Sequence, residues 1–475
     1  MVHRFFDASF KEYHSIQQVW RTTALAYIQR YSKIFMKKRK IKNLPNVTVI
    51  GLGYVGFPLA CAIAKSKKYE VYGLDTNSKR VDKVNLRISP VEDRQAELDI
   101  KKVRIMATTE DSVLKKSKFI IMCVPTPIDE NRKPDLTPVI EATEIILKNL
   151  QKGQIIILES TVNPGVCEEI VLPILEKSGL KGGIDFELVH CPERIDPGNP
   201  KWNVYNISRN IGGISKKGTS IAANFYRSFL KANINEMSSL KTTEATKIVE
   251  NIFRDVNIAY VNELAQSFDK LGIDVHEVIN GASNKPFSFM AHYPGCGVGG
   301  HCIAVDPYYL IDYAEKNGFD HKLLKVARNI NNGMPAYTVK KLVDGLRNLG
   351  INIKGAKIGL LGLSYKANIG DMRESPALEI RKELLELGAE VFCCDPYCNG
   401  DAPALIEDIL KNCVGVILAT NHKQFLNLKE WGNVKIVIDG RNCLDKPNIE
   451  SQGIIYDGIG RGFPKIISRE IVNEI

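Results

Sequence analysis

No stretch of this chain is apolar over the roughly 18 residues that a membrane-spanning helix needs. The longest apolar runs, among them FIIMCVP at 119–125, have the length of buried strands. A soluble body is therefore expected. Paired Cys and His ligands at finger-like spacing are also missing. Cys393, Cys394 and Cys398 lie close together but have no second pair, so no metal is expected there. The eleven cysteines are scattered and odd in number, some of them inside apolar runs as Cys123 is, and the start does not read as a secretory signal. A reducing, cytoplasmic setting is expected rather than a disulfide framework. Acidic residues are scarce at one end only. Residues 1–43 hold two acids, Asp7 and Glu12, against ten Lys or Arg, so +8 of the net +10 sits in that extension. The remaining +2 argues against a general polyanion-binding surface, and nucleic acid is not an expected partner. The extension itself, basic and aromatic in HSIQQVWRTTALAYIQRYSKIFMKKRK, reads first as a plain disordered start; it also suits an amphipathic helix on an anionic membrane surface or a partner, and superficially resembles a transit peptide.

A chain of 475 residues is too long for one core, so two or three domains are expected. VTVIGLGYVGFPLACAIAKS (47–66) reads as a buried strand, a glycine turn and a helix. Strand-like runs follow at EVYGLD (70–75), FIIMCVP (119–125), QIIILES (154–160) and FELVHCP (186–192), alternating with helical stretches. That alternation belongs to a parallel α/β sheet. From about Leu240, KTTEATKIVENIFRDVNIAYVNELAQSFDKLG has helical apolar spacing with no Pro or Gly before its final glycine, which predicts one long helix. The strand-and-glycine pattern returns at AKIGLLGLSYK (356–366) and continues through EVFCCDP (390–396), GVILAT (415–420) and KIVIDG (435–440). The expected class is α/β, with two Rossmann-like doubly wound domains joined by a central helical domain.

Gly51, Gly53 and Gly56 form GLGYVG, with Tyr54 and Val55 between them, and stand between a strand and a helix. The first glycine permits the tight turn, the second lets a pyrophosphate approach the backbone, and the third lets helix and strand pack closely. Asp75 ends the second strand 19 residues beyond Gly56, where a carboxylate accepts hydrogen bonds from an adenosine ribose and repels a 2′-phosphate. NAD is therefore expected over NADP, with Arg80 on the adenine side. Thr126 in CVPTP and Thr161 in ESTVNPG fall at strand carboxyl ends, where this fold places ligands.

GCGVGGHCIAVDP (295–307) crowds small residues ahead of Cys302, so that backbone can come close to a ligand there, and Asp306 follows four residues on. A helix starting near His301 would put the two on one face. A thiolate can attack an aldehyde, and a carboxylate beside it can take a proton from water. A buried structural Cys with a capping Asp is an even alternative on this segment alone. Lys247, Asn251 and Arg254 form a stripe along the predicted long helix, able to hold a developing alkoxide or simply to face solvent. Glu193 in HCPERIDPG is a further candidate.

At these residues the chain resembles the UDP-glucose/GDP-mannose dehydrogenase family over nearly all of 45–465. The basic extension at 1–43 falls outside the resemblance, which implies an NAD-binding Rossmann domain at 44–235, a central dimerisation and catalytic domain at 236–345 and a UDP-sugar-binding domain at 346–475. It implies oxidation of the C6 alcohol of a nucleotide sugar to the carboxylate with two NAD, for surface polysaccharide synthesis, in a homodimer formed through the central helix. By the same resemblance Cys302 carries a thiohemiacetal and then a thioester, and Lys247 and Asn251 hold the C6 oxygen. Asp306 assists the hydrolytic water, which Thr161 and Glu193 position. Glu193, Arg194, Lys247, Asn251, Arg254, His301 and Lys366 bind substrate, while Arg373 approaches NAD across the domain cleft. His301 in GGHC, where glucose-specific members tend to carry Ser, together with CPERIDPGNP and DPYYL, points to a UDP-N-acetylhexosamine. The lean is to UDP-N-acetylglucosamine, with the mannosamine and galactosamine epimers open. UDP-glucose oxidation and a catalytically silent NAD or UDP-sugar-binding regulator are the alternatives.

Overall fold

A computed structural model describes residues 44–91, 93–195, 199, 201–398 and 400–462. The expectations placed on the basic extension lie outside them. Each apolar run read as a strand is one. The first sheet holds β1 (Asn46–Ile50), β2 (Glu70–Leu74), β3 (Met106–Thr108), β4 (Ser117–Met122), β5 (Ile155–Leu158), β6 (Glu187–His190), β7 (Arg209–Gly213) and β8 (Ile234–Glu236), in the order β3-β2-β1-β4-β5-β6-β7-β8. All neighbours are parallel except β6 and β7. The second sheet, in the order β10-β9-β11-β12-β13, is wholly parallel and holds β9 (Lys357–Leu361), β10 (Glu390–Cys394), β11 (Gly415–Leu418), β12 (Ile436–Asp439) and β13 (Ile455–Gly458). Both sheets reverse their winding beside the first strand, between β1 and β4 and between β9 and β11. Such a reversal is where sheets of this kind hold their ligands, outside the strand carboxyl ends.

The strands read as continuous apolar runs because both faces of the sheet are covered. Val47, Val49, Phe119, Ile121, Ile155 and Ile157 pack into one core, and Ile50, Ile120, Met122, Ile156 and Leu158 into the core on the opposite face. Sequence reading passed over β3, β7, β8 and β13. The first and third of these have three residues, and β7 (RNIGG) is rich in glycine, so none carries enough apolar periodicity to stand out.

Five helices position the site, labelled α1–α5 in chain order: α1 (Gly56–Lys65), α2 (Leu240–Leu271), α3 (Asp306–Lys316), α4 (Lys322–Asn348) and α5 (Pro376–Glu386). The predicted long helix is α2. It opens on Ser239, whose hydroxyl accepts the Thr242 N–H, and closes on Gly272 in the left-handed region at φ 70°. α4 runs through residue 345, and its Leu342 and Leu346 belong to the core of the second sheet.

The three fingerprint glycines meet different constraints. Gly51 takes φ 86°, and a Cβ there would lie 2.6 Å from the Cys123 carbonyl oxygen. A Cβ on Gly56 would sit 2.0 Å from the Gly51 carbonyl oxygen. At Gly53 a Cβ would meet nothing within 4 Å. Gly51 and Gly56 thus serve the fold, while Gly53 leaves backbone open. Gly56→Ala is accordingly expected to cost at least about 2 kcal/mol of stability through overpacking. Gly53→Ala should cost under about 1 kcal/mol. Denaturant melts of the two variants check this, and equal losses would refute the division of roles.

Candidate active site

Cys302 lies in a turn just ahead of α3. The helix starts at Asp306 and not near His301, as the spacing had suggested, but the Asp306 N–H still donates to the Cys302 carbonyl at 2.9 Å. That single helical turn brings the two side chains together. The glycines before it are required against protein, which the expectation of an open approach for a ligand did not foresee. A Cβ on Gly299 would lie 2.6 Å from the Glu374 carbonyl oxygen, and one on Gly300 would lie 2.7 Å from the Tyr365 ring. The Gly300 N–H donates to the Arg373 carbonyl at 3.0 Å, and the Gly295 N–H to the Asn262 side chain on α2, also at 3.0 Å. Cys296, the other cysteine of the segment, is buried against the Gly440 carbonyl. The glycines let the irregular segment carrying Cys302 thread between α2 and the second sheet.

Asp306 is 3% exposed, and α2 supplies what faces it. The Asn251 amide donates to its Oδ2 at 2.5 Å, and the buried Lys247 ammonium draws on both Asp306 and Cys302. Lys247 and Asn251 are therefore not on a solvated face, although Arg254, one turn on, is exposed. Burial pushes the Asp306 carboxyl up to about 6, against the pull of Lys247 and the Asn251 hydrogen bond. The Cys302 thiol is exposed on one side and walled by protein on the others. Burial and the Asp306 charge raise its pKa above the ordinary value, while Lys247, Arg373 and Arg254 oppose the rise. No standing thiolate results, so proton removal must accompany attack.

His301 is held neutral by burial and by the charge of Arg373, with Asp371 opposing. Arg373 itself is clamped by Asp371, whose carboxylate accepts from its Nε at 2.9 Å and its Nη2 at 2.6 Å. Cys302, Asp306, Lys247, Asn251, Arg254, His301 and Arg373 form one neighbourhood drawn from α2, the α3 turn and the loop after β9.

The remaining candidates lie around it. Thr161 is half-buried beyond the carboxyl end of β5. Glu193, beyond β6, spends Oε1 on the N–H groups of Arg194 (2.6 Å) and Ile195 (2.7 Å) and Oε2 on Arg209 (2.7 Å). Arg209 is wholly buried and also reaches Glu159, which accepts from the Tyr226 hydroxyl. Burial pushes Glu159 up to about 7 despite Arg209. Sequence reading missed this triad, because an Arg inside an ordinary strand carries no signal. Arg194 is paired with Glu250 on α2 at 2.7 Å. Lys366 sits half-buried in the loop between β9 and α5.

In the first sheet, Asp75 accepts the Leu52 N–H of the glycine turn at 2.7 Å, the Asn77 N–H at 2.9 Å and the Arg80 guanidinium at 2.9 Å. Arg80 thus stands on the carboxylate. Thr126 is buried after β4, and the hydroxyl of Tyr309 on α3 donates to the neighbouring Pro127 carbonyl at 3.1 Å. Tyr54 is exposed at the turn, and Val55 precedes α1. Open backbone at Gly53, the N-terminus of α1 and a carboxylate at the end of β2 fit a dinucleotide.

Among the described residues, Cys167, His190 and Glu244 are a buried group with metal-ligand chemistry, their ligand atoms within 4.8 Å. Glu244, however, accepts the N–H groups of Gly165 (2.6 Å) and Cys167 (2.9 Å), fastening the loop after β5 to α2. Three ligands also fall one short of a structural zinc site. No described helix is long and apolar enough to cross a membrane.

The charges around Cys302 define a test. Lys247→Met is expected to raise the pH at which Cys302 is half-alkylated, and Asp306→Asn to lower it. Cys443, exposed but pushed up to about 12 by burial and Asp439, should react later. Peptide mass spectrometry across pH reads both thiols. Unmoved Cys302 profiles in both variants would break the electrostatic cluster.

Comparison with known proteins places the chain as a whole in a family. Residues 45–230, 241–333 and 359–446 match, in order, the NAD binding, central and UDP binding domains of the UDP-glucose/GDP-mannose dehydrogenase family. The chain is 38% identical over 429 residues to the UDP-N-acetyl-D-mannosamine dehydrogenase of Pyrococcus horikoshii, covering 88% of this chain and 99% of that one. It is 39% identical over 392 residues to the UDP-N-acetyl-D-glucosamine 6-dehydrogenase of Pseudomonas aeruginosa, covering 80% and 92%. The solved UDP-D-ManNAc dehydrogenase of Pyrococcus horikoshii superposes with a TM-score of 0.83 at 36% identity, over 88% of this chain and 99% of that one.

Proposed function

Because the chain belongs to the UDP-glucose/GDP-mannose dehydrogenase family, we propose that it is an NAD-dependent 6-dehydrogenase that oxidises the C6 alcohol of a UDP-N-acetylhexosamine to the carboxylate. The observation that carries the reading is the convergence of Cys302, Asp306, Lys247 and Asn251, two pairs brought from separate elements onto one thiol. A regulator that only binds its ligands has no use for a buried carboxylate held ready to accept protons beside a nucleophile.

The chemistry follows from these groups. NAD supplies the hydride acceptor, one molecule for each two-electron step. Lys247 holds the C6 oxygen as it gains negative charge. Asn251 has a second amide N–H for the same atom, since only one is used on Asp306. Once C6 is an aldehyde, the Cys302 sulfur bonds to it as the thiol loses its proton, giving a thiohemiacetal. After the second hydride leaves C6 this becomes a thioester. Asp306, near pH 7 mostly ionised with its pKa at about 6, takes a proton from the attacking water. The C–S bond then breaks, and the thiol and the sugar carboxylate are released. Thr161 and Glu193 position that water. The two bonds to Glu193 Oε1 and the one to Oε2 keep its carboxylate still for that work. In the cleft, His301, Arg194, Arg254 and Lys366 face the sugar nucleotide, and Arg373 faces NAD.

The domains run as 44–235, 236–345 and 346–475, and the product is a uronate for surface polysaccharide. The enzyme pairs as a homodimer through α2, along which Val249, Phe253 and Tyr260 form an exposed apolar stripe. His301 supports an acetamido sugar over glucose, and among the epimers UDP-N-acetylglucosamine remains the favoured one on the CPERIDPGNP and DPYYL stretches.

NADH production is to be measured on UDP-N-acetylglucosamine, UDP-N-acetylmannosamine, UDP-N-acetylgalactosamine and UDP-glucose, with product mass as a second readout. Two NADH per acetamido sugar and a product carrying a new carboxylate are expected. Cys302→Ser should abolish the second NADH with nucleotide binding intact. The rate should fall on the acid side of about pH 6, and that limb should vanish in Asp306→Asn. Turnover of UDP-glucose alone would replace the sugar assignment, and silence across the panel would revive the regulator.

A further inference from the structure

The two sheets carry the same turn in different states. GLGYVG (51–56) and GLSYKA (362–367) align residue for residue, and the geometry repeats with them. Gly51 and Gly362 have φ 86° and 87°. Their N–H groups donate to the Leu74 and Cys394 carbonyls at 2.8 and 2.9 Å. Leu52 and Leu363 each donate to the carboxylate ending the second strand, Asp75 or Asp395, both at 2.7 Å. This frame puts Ser364 on Gly53, Lys366 on Val55 and Ala367 on Gly56.

One difference matters. After the first turn a helix starts at once, at Gly56, but after the second it waits until Pro376. The residues around Lys366 therefore have no helix to order them. A buried histidine takes over. The wholly buried His422 accepts the Asn368 N–H on Nδ1 at 2.9 Å, which leaves the ring proton on Nε2. Nε2 lies 3.1 Å from Asp395 Oδ2 and 3.1 Å from Ser364 Oγ. The Ser364 hydroxyl donates in turn to the Lys366 carbonyl at 3.2 Å. Asn368 stands in the left-handed region at φ 63°, and its side chain accepts the Lys423 N–H at 3.1 Å. One ring thus ties both ends of Ser364–Asn368, with Lys366 between them. In the first sheet the surface residue Arg80 fills the corresponding place on Asp75.

We propose that His422 is a positioning residue for the nucleotide sugar: its Nε2-protonated ring holds the Ser364–Asn368 turn so that Lys366 meets the UDP moiety. The proposal rests on the reading of Lys366 as substrate-binding, and the experiment separates the two.

His422→Gln keeps a donor near Nε2 and loses the acceptor for Asn368, whereas His422→Asn keeps an acceptor near Nδ1. His422→Gln is expected to raise KM for the UDP-sugar about tenfold, the weight of roughly one buried hydrogen bond, with the effect falling on KM and not on kcat or on KM for NAD. His422→Asn should recover most of that loss. In the Lys366→Ala background, His422→Gln should add under about twofold, because the histidine acts through the lysine. If Lys366→Ala leaves KM unchanged, the reading of Lys366 fails. If Lys366→Ala raises KM while folded His422→Gln does not, or the two effects add in full, the proposal is overturned. Should His422→Gln not fold, Ser364→Ala, which removes only the hydroxyl between the ring and the Lys366 carbonyl, takes its place. It should raise KM about threefold by the same reasoning, and an unchanged KM overturns the proposal equally.

Discussion

The burial of the Asp306 carboxylate is the constraint on which the site depends. A lone carboxylate taken from water is costly, and it stays in place only where charge and hydrogen bonds meet it. Here both come from α2, as the Lys247 ammonium and the Asn251 amide. The compensation is incomplete, which is why the carboxyl sits at about 6 and can exchange protons near neutrality. The arrangement fixes α2 against the start of α3, and Cys302 follows because its carbonyl receives the Asp306 N–H.

That requirement also explains the glycines. The chain leading to Cys302 passes close to Tyr365, the Glu374 carbonyl and Pro376, where side chains on Gly299 and Gly300 would collide. Omitting Cβ atoms lets the catalytic turn press against the loop after β9. Asp371 and Arg373 on that loop then stand beside His301 and Cys302. The insertion that delays α5 serves this same end, since it is the stretch that carries Arg373 across. The turn at Gly362 thus keeps the frame of the turn at Gly51 while its following loop packs against the segment that carries Cys302.

Much of this was legible along the chain. Continuous apolar runs announced the strands because each is covered on both faces, and the glycine fingerprint announced its turn because Gly51 and Gly56 are required locally. The strand-and-glycine pattern was seen to return at 356–366, but the residue-for-residue match of Gly362–Ala367 to Gly51–Gly56 was not read, because Ser364 and Ala367 replace two of the glycines that make the pattern visible. Nor were Arg209, Asp371 and His422. Arg209 and His422 orient residues far away in the chain, a partnership that neither periodicity nor local spacing encodes, while Asp371 clamps Arg373 two residues on in a loop with no period to mark it.

By itself, then, the sequence determined what depends on neighbours in the chain: the alternation of strands and helices, the turn at Gly51, the long α2 and the four-residue step from Cys302 to Asp306. Tertiary structure decided whether these groups face one another. Whether Lys247 and Asn251 meet solvent or a carboxylate, and whether the glycines before Cys302 admit a ligand or a protein loop, depends on packing between segments separated by scores of residues. Desolvation and charge act through space. They set the proton affinities of Asp306 and Cys302 only once the fold has closed around them.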